Sequence, residues 1–347
     1  MSVMGAFFEE ARRHPRRIAL PEAAEPRMLT AARLAADAGY CIPLLVGDGE
    51  QIRSVAAAEA VDIHDLEVVD IRSSERLEVY SRRYSQARQL RTRVARAVLS
   101  RPIYFAGFMV RCGDADGLVS GCISTTATVV KAAMLTIGLR AGISVPSSCF
   151  IMEVPDCRFG ENGVLLFVDP AINPQPTARE LAEIAASGAF TAEVLLGWEP
   201  RVAMLSFSTR GSAVEADTLK VVQATRILRD EFPHVIADGE LQVDTALVPE
   251  VAARKLRTAS PVAGRANVLV FPDLDAANCG YKLVQWLAKA RAFGPIMQGF
   301  NRPVNDLSRG ASVEDILGVI AITACEMSRE TEIGYINRRG PVAVPAK

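Results

Sequence analysis

Residues 18–46 read IALPEAAEPRMLTAARLAADAGYCIPLLV, and this stretch decides the fold class. Ile18-Ala19-Leu20 is a short apolar run that halts at Pro21-Glu22. From Arg27 to Gly39, alanines and leucines fall on one helical face and Gly39 supplies the stop. Ile42 to Val46 is apolar again. A strand, a helix and a second strand in such close succession predict an α/β fold with a largely parallel sheet. The alternation continues, with further strands expected at Leu66–Asp70, Gly117–Ser120, Val164–Val168, Val202–Phe207 and Val268–Phe271. There is no internal repeat and no low-complexity segment, and the tail from Arg338 to Lys347, with Gly340, Pro341 and Pro345, is expected to fray.

Composition narrows the function. The chain has 347 residues, enough for one large domain or two of ordinary size. Half of them are hydrophobic and 23% are charged, so a substantial core is expected rather than disorder. With 39 Lys+Arg against 40 Asp+Glu the formal net charge is −1, which argues against binding nucleic acid through a basic field. No apolar run is long enough to span a membrane. The N-terminus, with Glu9, Glu10, Arg12, Arg13 and His14, lacks the apolar core of a signal peptide, so a cytoplasmic location is expected. The seven cysteines form no C-x-x-C pair and the three histidines are far apart, so neither a disulfide framework nor a Cys/His zinc site is expected.

Sites in open α/β sheets form at the carboxyl ends of strands. Here those ends carry Pro21-Glu22, Ser120-Gly121 leading into Ser124-Thr125-Thr126, Ser206-Phe207-Ser208-Thr209, and Pro272-Asp273. Such residues also favour ordinary turns and caps. There is no G-x-x-x-x-G-K-[ST], no G-x-G-x-x-G after the first strand and no G-x-S-x-G, which counts against a P-loop NTPase, a Rossmann dehydrogenase and an α/β-hydrolase.

Asn301 to Ile316 begins as a polar loop and runs into an amphipathic helix, with Ile316, Leu317, Ile320, Ala321 and Ala324 on its apolar stripe. Ser312 stands at the N-cap and Asp315 three residues later completes a capping-box pattern. Ser308, Arg309 and Gly310 precede it: a hydroxyl, a fixed cation and a residue that lets backbone come close, at a helix start where an anion can sit. Spacing alone also fits a plain reading of cap, solvated charge and turn.

Asn305-Asp306-Leu307-Ser308-Arg309-Gly310, preceded by Gly294-Pro295-Ile296-Met297-Gln298-Gly299, resembles the signature of the phosphate acetyltransferase/phosphate butyryltransferase family. Further blocks follow the family order: Leu20-Pro21-Glu22 with Arg27, Arg101 to Ala106, Asp114 to Gly121, Glu199 to Thr209, and Phe271 to Asn278 with Gly280-Tyr281-Lys282. The resemblance implies a fold like that of the isocitrate and isopropylmalate dehydrogenases, with two α/β/α domains flanking a cleft. The first would be discontinuous, residues 1–144 together with 295–347, and the second inserted, residues 145–294. It also implies a homodimer, acyl-CoA and phosphate as small-molecule substrates, and no cofactor or metal, coenzyme A being a substrate.

The implied reaction is acetyl-CoA plus phosphate giving acetyl phosphate plus CoA, by direct transfer. In it Arg309 would hold phosphate and carbonyl with a planar fork of donors. Ser308 would donate to the developing oxyanion, a contribution often worth ~3 kcal/mol. Asp315 is the family's candidate base for the CoA thiol. An ordinary Asp near ~4 is a weak base for a thiol near ~8.5, and a helix N-terminus favours its anion. Desolvation, concerted proton transfer, or a role confined to capping would each resolve this. The resemblance also points to Arg83, Thr125, Thr126, Lys131, Ser206, Thr209 and Asn305 as substrate-binding residues, with Arg82 hard to separate from Arg83. After Thr125-Thr126-Ala127 the family tends to have Asp and then an Arg-Pro pair, whereas this chain has Thr128 and Lys131, keeping a charge but losing bidentate geometry. Alternative readings are transfer of a longer acyl group such as butyryl, and a catalytically silent homologue that binds CoA or acyl phosphate. A dehydrogenase would need a carboxylate cluster for a metal and a nucleotide site, and the sequence offers neither.

Overall fold

The computed structural model describes residues 2–332, so the expectation for the tail from Arg338 onward lies outside the described residues. In chain order the elements are α1 (Val3–Arg13), β1 (Arg16–Leu20), α2 (Pro26–Asp37), β2 (Cys41–Gly47), α3 (Gly49–Ala58), β3 (Glu67–Asp70), α4 (Glu75–Arg88), α5 (Thr92–Leu99), α6 (Pro102–Cys112), β4 (Gly117–Ser120) and α7 (Thr126–Thr136). There follow β5 (Ser147–Glu153), β6 (Val164–Val168), α8 (Ala178–Leu196), β7 (Val202–Leu205), α9 (Ala216–Glu231), β8 (Ala237–Leu241), α10 (Val243–Leu247), α11 (Pro249–Lys255), β9 (Val268–Val270), α12 (Leu274–Leu287) and β10 (Arg291–Gln298). The last described elements are β11 (Val304–Asp306) and α13 (Val313–Glu332).

These elements form two compact units, one of Met1–Gly138 with Phe300–Lys347 and one of Leu139–Gly299. The second begins at Leu139 rather than residue 145 and ends at Gly299 rather than residue 294. The reason is local: β10 runs on to Gln298 against Ser147 of β5, and the Arg140 N–H donates to the Gly299 carbonyl.

The first unit is built on a parallel sheet in the order β11-β4-β1-β2-β3. Successive residues Ile18, Ala19 and Leu20 of β1 and Leu118 and Val119 of β4 are all fully buried, so both faces of the sheet are covered, as parallel sheets require. α13 packs on α1, α2, β1 and β4, while α6 packs on β1, β2, β4 and α7. The helix read from the sequence between Arg27 and Gly39 is α2, with Pro26 at its start and Gly39 at a positive φ of 71° beyond its end.

The second unit has a sheet of its own, parallel over most of its width and antiparallel at one side. Its order is β10-β5-β6-β9-β7-β8, parallel from β6 to β8 but antiparallel at β10–β5 and β5–β6. Phe150, Leu165, Phe167, Leu205, Leu241, Leu269 and Phe271 form its apolar centre. Four strands went unread in the sequence: β5, β8, β10 and β11. β8 (Ala237-Asp238-Gly239-Glu240-Leu241) and β11 (Val304-Asn305-Asp306) carry polar residues that are buried on partners rather than exposed, which breaks the apolar pattern. The segment read as a polar loop before α13 is therefore partly an edge strand, paired with β4 from Val304↔Leu118 to Asp306↔Ser120.

Candidate functional site

In the first unit the carboxyl ends of β11, β4 and β1 lie side by side, and hydrogen bonds tie the loops that leave them. Glu22, just past β1, is buried, and its carboxylate accepts the N–H groups of Gly121 (2.8 Å), Cys122 (2.7 Å) and Ser124 (2.8 Å), shaping the turn into α7. Arg27 reaches from α2 to donate to the carbonyls of Arg309 (3.0 Å), Ala311 (2.8 Å) and Cys122 (3.4 Å), with Glu25 held at 2.6 Å from its Nε. One guanidinium thus joins the loop after β4 to the loop after β11.

Ser308, Arg309 and Gly310 form an exposed turn between β11 and α13. Ser308 Oγ accepts the Gly310 N–H at 3.2 Å and its carbonyl accepts the Ala311 N–H at 2.9 Å. The Arg309 guanidinium has no hydrogen-bond partner among the described residues, although its backbone is pinned by Arg27. Asp315 closes the capping box read from the sequence. Its Oδ2 accepts from the Ser312 N–H and hydroxyl, both at 2.9 Å, while its own N–H donates to Ser312 Oγ at 3.1 Å. Asp315 is exposed, and the capping role is present in the geometry.

Thr125 is the N-cap of α7, its Oγ1 accepting the Thr128 N–H at 3.3 Å and lying 3.0 Å from Thr128 Oγ1. The Thr at 128 is therefore a working cap partner. Thr126 donates its hydroxyl to Asp306 Oδ2 at 2.5 Å. Lys131 is exposed and sits past the first turn of α7, away from the N–H groups that open the helix. Asn305, expected to touch substrate, is buried instead. Its amide is spent on Thr323 Oγ1 (2.9 Å) and Glu326 Oε2 (2.8 Å), fastening β11 to α13.

Arg82 and Arg83, inseparable in sequence, have different surroundings on α4. Arg82 pairs with Glu78 at 3.2 Å, one turn back. Arg83 points instead at Cys112 at the end of α6, with Nη1 3.9 Å from Sγ. No hydrogen bond among the described residues links Arg83 to Ser308, Arg309 or Asp315. Nearby, Arg88 of α4 donates to the carbonyls of Met134 (3.0 Å) and Leu135 (2.7 Å), and Arg96 of α5 pairs with Glu78 at 3.0 Å.

In the second unit Ser206 and Thr209 follow β7. Ser206 Oγ accepts the Ser208 N–H at 3.2 Å. Thr209 Oγ1 accepts the Gln242 N–H at 3.0 Å, knitting the loop after β7 to the end of β8. Nη2 of the adjoining Arg210 donates to both carboxylate oxygens of buried Asp238, at 2.7 and 2.8 Å. These polar groups stabilise the loop that displays Phe207, which is 58% exposed.

In sequence Glu22 is one of several polar strand ends and Asp306 one member of the block that carries the resemblance, and neither is marked there as tying the loops together. Asp306 is 2% exposed, and burial, opposed by bonds from Thr126 and Leu307, pushes its carboxyl up to about 6. Burial next to Glu22 likewise pushes the Cys122 thiol up to about 12, which leaves it inert as a nucleophile.

The family model described as "Phosphate acetyl/butaryl transferase" matches residues 2–324. The chain belongs to that family. It is 50% identical to a phosphate acetyltransferase of Thermoanaerobacterium thermosaccharolyticum over 329 residues, covering 94% of this chain and 99% of that protein. A solved phosphotransacetylase from Streptococcus pyogenes superposes with a TM-score of 0.88 at 38% identity, covering 94% of this chain and 99% of that one. For the fold alone, a 4-hydroxythreonine-4-phosphate dehydrogenase from Burkholderia phymatum is similar at a TM-score of 0.54 and 14% identity over 90% of this chain and 98% of that one, in keeping with a dehydrogenase-like α/β architecture. Among the described residues no helix is long and apolar enough to cross a membrane.

Proposed function

We infer that the chain is an acyltransferase that interconverts acetyl-CoA plus phosphate and acetyl phosphate plus CoA. Beside family membership, one observation carries the reading furthest: Ser308 and Arg309 stand on an exposed turn whose backbone is pinned by Arg27, with the Arg309 guanidinium left without a hydrogen-bond partner among the described residues. In the direction of acetyl-CoA synthesis, the CoA sulfur attacks the carbonyl of the mixed anhydride and phosphate departs. Arg309 holds the phosphate and polarises the carbonyl, and the Ser308 hydroxyl donates to the oxygen on which charge builds. Asp315 Oδ2 is occupied by its cap, so the thiol proton would pass to Oδ1 in concert with attack. Thr125 and Thr126 at the start of α7, with Lys131, Arg83, Ser206 and Thr209, are the further candidates for holding substrate; Asn305 we assign to the scaffold. The transfer is proposed to be direct and to need no cofactor.

The relative at 50% identity is named for acetyl transfer, as is one from Acetivibrio thermocellus at 43% over 329 residues, so a longer acyl group is not favoured. Phosphate-dependent release of free CoA from a panel of acyl-CoAs tests the reading. Acetyl-CoA should react fastest, and Arg309→Ala should lower kcat about 10²–10³-fold, as loss of a charge-stabilising donor does. CoA binding without release from any acyl-CoA would point to the silent homologue instead. A homodimer in the cytoplasm completes the proposal.

A further inference from the structure

The segments that carry most of the candidate groups of the first unit are far apart in sequence: α7 with Thr125 and Thr126, and the turn with Ser308 and Arg309. Three features bring them together around one carboxylate. Asp306 and Ser120 face each other in the parallel ladder, and the Leu307 N–H donates to the Ser120 carbonyl at 2.9 Å. The backbone of Gly121, at a φ of 123°, passes so near that a Cβ there would stand 2.5 Å from both Asp306 Oδ1 and the Leu307 nitrogen. Asp306 Oδ2 takes the Thr126 hydroxyl, the first side chain of α7. We infer that the Thr126–Asp306 hydrogen bond is a positioning clamp for acyl transfer, with Asp306 fixing the first turn of α7 against the Ser308–Arg309 turn. The inference rests on the acyltransferase reading for the reaction it serves.

The energetics single Asp306 out. Its Oδ1 is buried with no hydrogen-bond partner, an arrangement that costs stability and that apolar packing would avoid. Thr126 and the Leu307 N–H oppose the effect of burial, but Glu22 from the end of β1 adds another carboxylate and Cys122 from beyond β4 is a buried thiol. Costs of this kind persist where they serve a site. The opposite end of α7 is held independently, by Arg88 on Met134 and Leu135 and by Arg111 on the carbonyls of Thr136 and Ile137. The clamp therefore acts at the front of the helix, beside the Glu22 carboxylate that shapes the turn into it.

The test is a double-mutant cycle on phosphate-dependent CoA release, comparing wild type, Asp306→Leu, Thr126→Val and the double variant; Asp306→Asn would still accept the Thr126 hydroxyl. Each single change should lower kcat about tenfold while KM for acetyl-CoA moves by less than about twofold, and the double variant should be no slower than the slower single one. Losses that multiply, or an Asp306→Leu enzyme with wild-type kcat, would overturn the clamp. Amide hydrogen exchange on Thr126→Val reads it without any reaction. The amides of Thr126–Val129 and of Leu307–Ala311 should accelerate together by about tenfold, with Met134–Ile137 unchanged. If the two segments do not move together the clamp fails, whatever the activity. If wild type releases no CoA, the acyltransferase reading fails and the exchange result alone decides the clamp.

Discussion

Asp306 links residue chemistry to stability with a definite sign. Its carboxyl in the folded chain is raised to about 6 by burial, against an ordinary carboxylate in the unfolded chain near ~4. A raised acid favours folding in its protonated form. That contribution is complete below about pH 4 and is lost as pH rises through 6. At neutral pH the ionised side chain therefore costs on the order of 2–3 kcal/mol relative to a neutral isostere. Asp306→Asn should gain stability over wild type as the pH is raised from 4.5 to 7.5, read by urea denaturation of both proteins at each pH. The same gap at both pH values would mean that the carboxyl is not raised. A variant that is stabilised at neutral pH yet slower in turnover would show the trade-off expected where strain serves a site.

At the scale of elements, the placement of α7 depends on how closely α6 approaches it. Gly107 of α6 faces Thr136 near the end of α7, and a Cβ on residue 107 would overlap the Thr136 side chain, whose hydroxyl already donates to the Ala132 carbonyl at 2.6 Å. Gly107→Ala should therefore lower stability by about 1–3 kcal/mol, the usual cost of overpacking, although alanine has the better helix propensity. A calorimetric Tm equal to or above that of wild type would contradict this packing. The capping boxes of α8 and α13 were open to prediction from spacing, because Thr177/Glu180 and Ser312/Asp315 need only three residues of helix to meet. β11 was not, because Asn305 and Asp306 find their partners on α13 and α7, many residues away in the chain.

At the scale of the whole molecule, each of the two units closes its own sheet and its own core, and the chain crosses between them at Gly138–Leu139 and Gly299–Phe300. The proposed homodimer belongs to this scale. Sedimentation of the purified protein should give one boundary at twice the chain mass, and a boundary at the chain mass across micromolar concentrations would rule the dimer out.

The sequence by itself determined the α/β class, the strand-and-helix alternation, the family and the Ser312–Asp315 cap. Each of these rests on neighbours along the chain or on blocks that keep their order. Only the tertiary structure separated Arg82 from Arg83, because one meets Glu78 a turn away while the other meets a cysteine on a different helix. It likewise withdrew Asn305 from the solvent and brought Glu22 and Asp306 to the turn where α7 begins. Whether a polar residue faces substrate or supports the frame is set by what lies across the sheet from it. That distance is bridged by folding and is not written in the spacing of the residues.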